Sequence, residues 1–172
     1  MESRIVYKEQ QRFRQWWLWA IILALTIFWL SLILISRELI VVLLALILDL
    51  GLIVFMYSLK LDTEVTYTGI RIKFWPFHRR WLLFEFSNLK SAEEATYRQL
   101  ADYGGWGIRY GIFNELHAKA YTVSGNKGVM VRMADETYIL IGSKNPEELM
   151  SSIECGTLYR SGTGVNDPYE YK

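Results

Sequence analysis

The side chains that could do chemistry are few and scattered along the chain. The two histidines, His78 and His117, each lack a second His, Cys or paired carboxylate at the spacing that a zinc site requires. The single cysteine, Cys155, has no neighbouring histidine to activate it as a nucleophile. We therefore expect no catalytic residue, no metal site and no cofactor, and we predict that the protein is not an enzyme.

Two clusters of aromatic and basic residues are candidate contact sites instead. The cluster at 74–81 suits contact with a partner or with anionic lipid headgroups, and it equally suits a packed strand with an exposed basic corner. The cluster at 103–110 suits a protein-binding groove, and its glycines equally suit a bent strand or bulge. The candidate contact residues are Trp75, His78, Arg79, Arg80, Trp81, Trp106 and Arg109.

The N-terminal third must position these clusters, and its composition differs from the rest of the chain. Residues 17–36 carry no charge, residues 39–59 carry one, and only Arg37 and Glu38 separate the two stretches. Each stretch is long enough to cross a hydrocarbon layer of about 30 Å as a helix. The sequence therefore predicts a two-helix transmembrane hairpin that is integral to a lipid bilayer.

Basic residues near the ends of the hairpin predict its orientation. They are frequent in the segment 1–16 and after the second stretch, whereas the connecting turn has only Arg37. Since basic residues favour the cytoplasmic side of a membrane, we expect both termini to be cytoplasmic. The predicted location is the cell membrane, crossed twice.

Asp49 is the one carboxylate inside the predicted spans. In an antiparallel hairpin it lies at the same depth as Thr26, whose hydroxyl could hydrogen-bond the carboxyl group. We predict that Asp49 and Thr26 form an intramembrane polar pair that fastens the hairpin or a homo-oligomer. The alternative is a proton or ion pathway that uses Asp49.

From residue 60 onward, short alternating runs punctuated by glycine are typical of strands. Asn145 and Pro146 suit the start of a helix, and the glycine-rich residues 156–172 suit a flexible tail after a domain at 60–155. The turn at 124–128 predicts a tight hairpin between the strands on either side. About seven strands are expected, at 64–67, 70–75, 81–86, 106–110, 118–123, 129–133 and 138–141, and 91–97 is a strand or a short helix.

Three segments of this domain carry a resemblance. YGGWGIR at 103–109, GNKGV at 125–129 and ILIGS at 139–143, which runs into NPEEL at 145–149, resemble small bacterial or archaeal membrane proteins of unknown function with a PH-like domain. The resemblance implies a strongly bent, seven-stranded sheet or barrel with one C-terminal helix. The predicted fold class is thus α+β, a transmembrane hairpin followed by a PH-like domain.

The net charge of +1 lacks the basic excess of a nucleic-acid binder, so no nucleic-acid partner is expected. We predict a membrane-anchored, non-enzymatic PH-like interaction module that binds a protein partner or its own copies, with contact to lipid headgroups as a secondary role. The alternative function is a small oligomeric transport or channel subunit in which Asp49 is the intramembrane polar residue.

Overall fold

The structure is a computed structural model that describes residues 4–36, 39–98, 107–113 and 116–160. The described residues form an α+β fold with three α-helices, one short 3-10 helix at Phe86–Asn88 and two sheets. The chain divides into two units, of which one comprises Met1–Gln11 with Lys60–Lys172 and the other comprises Arg12–Leu59. We call them the sheet unit and the helical unit.

The first sheet of the sheet unit has four strands in the order β1-β2-β3-β4. β3 alternates between buried Ile70, Ile72 and Phe74 and the less buried Arg71 and Lys73, as expected for a strand with one face in the core. The four strands are β1 Ile5–Arg12, β2 Lys60–Thr66, β3 Gly69–Trp75 and β4 Leu82–Glu85.

The second sheet has five strands in the order β5-β8-β9-β7-β6. β9 runs parallel to β7 and antiparallel to β8, and it lies between them. Among the strands that the structure describes, β5 and β6 are the two edges of this sheet. The five strands are β5 Leu89–Thr96, β6 Gly107–Phe113, β7 Leu116–Thr122, β8 Lys127–Met133 and β9 Tyr138–Gly142.

One helix of the sheet unit, α3, follows β9 and packs against both sheets. It spans Pro146–Arg160 and so continues past Cys155. Its buried residues Leu149 and Ile153 join the core, while Glu147 and Glu148 occupy its first turn, where the helix dipole favours negative charge.

The resemblance implied a single bent sheet of seven strands, and the described residues instead form separate sheets of four and five strands. The strands that flank the turn at 124–128 are also not neighbours, because β9 lies between β7 and β8. The predicted tight hairpin at this turn is therefore wrong. Whether two consecutive strands are neighbours depends on the order of the strands in the sheet, which local alternation does not reveal.

The helical unit contains α1 Trp16–Ser36 and α2 Leu39–Ser58, which pack against each other. Ile22, Ala45 and Asp49 are buried in this unit, whereas many aliphatic side chains, such as Leu23 and Leu48, are exposed. Exposed apolar surface of this extent marks a contact surface.

The predicted transmembrane hairpin is not confirmed. A helix needs about 20 consecutive apolar residues to cross a hydrocarbon layer. Among the residues that the structure describes, no helix is long and apolar enough to cross a membrane; described side chains run without a gap only over 16–32 in α1 and 43–58 in α2. On this finding the predicted spans 17–36 and 39–59 are wrong, and so are the multi-pass location in the cell membrane and the cytoplasmic termini that followed from them.

Candidate interaction surface

The connection between β3 and β4 presents aromatic and basic side chains at its surface. The backbone N–H of His78 donates a 2.7 Å hydrogen bond to the carbonyl of Phe74, which fixes a tight turn after β3. Phe77 is 61% exposed, and Arg79 and Arg80 are also exposed. The turn therefore displays two guanidinium groups beside an exposed aromatic ring.

Lys119 of β7 lies between two tyrosine rings. Its ammonium nitrogen is 5.3 Å from the ring centroid of Tyr110 on β6 and 5.3 Å from that of Tyr121 on β7. Tyr110 is the register partner of Lys119, and Tyr121 is two residues along the same strand, so all three side chains share one face of the sheet. Hydrogen bonding to Tyr121 raises the pKa of Lys119, which stabilises its charge.

His78 connects these two groups of residues. Its ring centroid is 6.1 Å from that of Tyr121, so a residue of the β3–β4 connection meets the second sheet here. Phe84 of β4 also contacts Tyr121, at 6.4 Å between centroids. We call this group of residues the cation–aromatic corner; its members are Phe77, His78, Arg79, Arg80 and Trp81 from the β3–β4 connection, with Tyr110 of β6, Lys119 of β7 and the buried Tyr121 of β7.

Among the described residues, the cations of the corner have no acidic partners. Within the described part of the chain, no carboxylate lies within ion-pair distance of Arg79, Arg80 or Lys119. Guanidinium and ammonium groups bind carboxylates strongly, and guanidinium does so in a two-pronged geometry. The corner can therefore hold an anionic group chemically.

The electrostatics of His78 follow from the same neighbours. Burial lowers the pKa of His78, and the charge of Lys119 lowers it further. The Nδ1 atom of His78 is buried and has no hydrogen-bond partner among the described residues. The imidazole is therefore neutral at neutral pH.

We expect acid to destabilise the fold through His78. Because its pKa is lower in the folded chain than the ordinary value of about 6.5, the unfolded chain binds more protons below that pH. The contribution of the neutral His78 to the stability of the fold is fully present above about pH 6.5 and is lost as the pH falls toward the folded pKa.

An NMR titration of His78, in a His117→Gln background that removes the other imidazole, should give a midpoint below about 6.5. Lys119→Met should raise this midpoint, and a midpoint above 6.5 in the parent would contradict the placement.

The structure brings some predicted contact residues together and separates others. His78, Arg79, Arg80 and Trp81 belong to the corner, and Trp75 is half-buried at the end of β3. Arg109 is exposed on β6, where alternation points it to the face opposite Tyr110. Trp106 lies outside the described residues.

Tyr110 falls within the predicted cluster at 103–110, whereas Lys119 and Tyr121 were not predicted as contact residues. The signal available was the Lys119-x-Tyr121 alternation on β7, which places both side chains on one face of a strand. That Tyr110 joins them depends on the pairing of β6 with β7, and their meeting with His78 depends on the packing of two sheets.

Asp49 and Thr26 lie together in the helical unit. The Thr26 hydroxyl is 2.5 Å from one carboxyl oxygen of Asp49 and 3.0 Å from the carbonyl oxygen of Ile22. The other carboxyl oxygen of Asp49 is buried and has no hydrogen-bond partner among the described residues.

A second polar cluster joins β1 to the segment before α3. Glu9 accepts hydrogen bonds from the hydroxyls of Tyr7 and Ser143, each at 2.7 Å, and from the backbone N–H of Lys144 at 2.9 Å. Gln11 donates to Glu9 at 3.1 Å and to the carbonyl of Gly142 at 2.7 Å. Burial raises the pKa of Tyr7, so its phenol stays a hydrogen-bond donor. We call these residues the β1 clasp, and its role is to hold the first strand in place.

In the described part of the chain, no group of three or more His, Cys, Asp or Glu residues could hold a metal ion. The sheet unit is an α+β domain whose distinctive surface is a cation–aromatic corner built from two sheets. No family model matches the chain, and neither a curated protein nor a solved structure matches it. The corner's own chemistry therefore carries the functional argument.

Proposed function

We propose that the protein is a non-enzymatic interaction module whose cation–aromatic corner binds an acidic segment of a partner protein. The observation that carries this proposal is the position of Lys119 between two tyrosine rings, in the same corner as His78, Arg79 and Arg80. Among the described residues, neither Lys119 nor the two arginines have an acidic partner. Kinship with the PH-like family is part of the proposal on the sequence resemblance alone, since the described sheets of four and five strands differ from the single seven-stranded sheet that the resemblance implied.

The composition of the corner fits protein recognition. Tyrosine, tryptophan and arginine are the residue types that most often dominate the binding energy of protein interfaces. Tyr110 is 78% exposed and Trp81 is 37% exposed, so both can bury area against a partner. Lys119 and the two arginines then select a segment that carries carboxylates.

The predicted roles that need a membrane-spanning helix lose their basis. An oligomeric channel or transport subunit built around Asp49 requires helices that cross a membrane, and so do integral contact with a bilayer and anchoring of the module. Binding of a protein at the corner does not require membrane-spanning helices.

A binding titration with matched variants tests the proposal. The full chain is purified in a mild non-ionic detergent, because its helices expose aliphatic side chains, and is titrated into a fluorescein-labelled peptide rich in Glu and Tyr. Replacing Arg79 and Arg80 by Ser should weaken binding about thirtyfold, since each exposed arginine at an interface centre contributes about 1 kcal/mol.

The matched control removes the same charge elsewhere. Lys127→Ser with Lys144→Ser takes two exposed cations from the region before α3 and should change the affinity less than about twofold. A peptide with Gln in place of Glu should bind weakly to all three proteins. Equal losses in the two double variants would show unspecific charge attraction and would overturn the proposal.

A further inference from the structure

A groove lies between β5 and α3, on the side of the second sheet that the helix covers. Its volume is about 370 Å³. Phe86, Leu89 and Ala92 line it on the sheet side, and Met150 and Ile153 line it on the helix side. The floor of the groove is therefore apolar, which suits small aliphatic side chains of a ligand.

The strand beside this groove is an edge strand. Among the described strands, β5 pairs with β8 alone and ends the second sheet. In such a strand, alternate backbone N–H and C=O groups point away from the sheet and are able to pair with an added strand. Ser91, Glu93 and Glu94 of β5 are exposed, which leaves the edge accessible.

Charge around the groove is negative. Glu154 of α3 lines the groove, and Glu94 points to the same face of β5 as Ala92, because strand side chains alternate. Neither carboxylate has a cation partner among the described residues. The one cation in the lining, Lys90, is paired with Glu136. A ligand that brings basic side chains is therefore favoured.

A second copy of this chain does not fit this edge. Two β5 strands that paired antiparallel about Glu93 and Glu94 would bring these carboxylates of one copy against those of the other, and like charges on facing strands repel. The edge thus favours a different partner, with an extended backbone, small apolar residues and basic ends.

From these observations we propose that the β5 edge and its groove form a second binding site, which takes an extended basic segment of a partner protein as an added strand. Main-chain hydrogen bonds to β5 hold the segment, alternate side chains enter the groove, and Glu94 and Glu154 select its charge. The site is separate from the cation–aromatic corner and has the opposite charge, so it extends the proposed function to two-sided recognition.

The test uses the full chain and a labelled synthetic peptide with alternating valines and a lysine at each end. Binding should slow amide hydrogen exchange in β5, at 89–96. Two N-methylated forms of the peptide, each blocking one alternate set of N–H groups, should differ: one should bind at least about tenfold more weakly than the other, since only one set faces β5.

Charge variants locate the site. Glu94→Lys with Glu154→Lys should weaken binding about tenfold, whereas Glu93→Lys, on the opposite face of the same strand, should change it less than about twofold. Equal binding of the two N-methylated peptides, or slowed exchange elsewhere than β5, would overturn the proposal. The corner variants Arg79→Ser and Arg80→Ser lie outside this site. The Glu- and Tyr-rich peptide therefore tests the corner, and the valine peptide tests the β5 edge, so that either proposal can fail without the other.

Discussion

Gly128→Ala should lower the melting temperature of the protein by about 10 °C. Gly128 lies in β8 opposite Gly142 of β9, and a methyl group at this position would overlap the carbonyl oxygen of Ile141 and approach the Cα of Gly142 to 3.0 Å. Both obstacles are backbone atoms of a central strand, which cannot turn aside as a side chain does. We expect a loss of about 3 kcal/mol in the free energy of unfolding, which for a chain of this size corresponds to the stated shift.

Calorimetry or circular dichroism of the purified chain measures the effect. The matched control is Gly51→Ala in α2, where nothing lies within 4 Å of an added methyl group. Alanine is preferred over glycine in a helix, so this control should gain up to about 1 kcal/mol in the helical unit. A Gly128→Ala protein that melts within about 2 °C of the parent would show that β8 and β9 are not paired in this register.

Glu9→Ala should release β1 from the sheet unit. The substitution removes the acceptor of four hydrogen bonds and leaves the buried hydroxyls of Tyr7 and Ser143 without it. Unsatisfied buried donors cost about 1 to 3 kcal/mol each, so we expect a loss of about 3 kcal/mol in the free energy of opening of β1.

Amide hydrogen exchange at Ile5–Arg12 measures this loss directly. Exchange should become about a hundredfold faster in Glu9→Ala, since each 1.4 kcal/mol is a factor of ten. Glu9→Gln, which keeps one oxygen acceptor, should lie between that variant and the parent. Glu93→Ala, which removes an exposed carboxylate from another strand, is the control; equal exchange in β1 for Glu9→Ala and Glu93→Ala would contradict the β1 clasp.

Local patterns predicted several elements of the sheet unit well. β3 was expected at 70–75 and lies at Gly69–Trp75, because the alternation of Ile70, Ile72 and Phe74 with charged residues is a property of the strand itself. The start of α3 at Pro146 was likewise readable, since Asn145 and Pro146 act within one turn of the chain.

β1 escaped prediction because its buried face is polar. Tyr7, Glu9 and Gln11 alternate correctly for a strand, yet the buried part of this face carries no aliphatic residue, and the segment 1–16 was interpreted as a cytoplasmic N-terminal segment. Its partners Gly142 and Ser143 are more than a hundred residues away, as the separations of 131 and 136 residues show. A strand held by distant hydrogen bonds leaves no periodic apolar signal.

The candidate surface was half predicted. The basic and aromatic residues at 74–81 were predicted as a contact site because they are adjacent in sequence, whereas Lys119 and Tyr121 are ordinary strand residues by local pattern. Their role arises only where β7 packs near the β3–β4 connection, through the contact of His78 with Tyr121. Non-local packing of this kind is set by the whole fold and not by neighbouring residues.

The most direct test of the central claim is an NMR titration of the full chain with the Glu- and Tyr-rich peptide, observed at labelled tyrosine and histidine rings. The corner predicts that the resonances of His78, Tyr110 and Tyr121 shift together and saturate at one peptide concentration, while those of Tyr7 in the β1 clasp stay unchanged. Shifts at Tyr7 or elsewhere, with the three corner rings unaffected, would contradict the assignment of the binding site to the cation–aromatic corner.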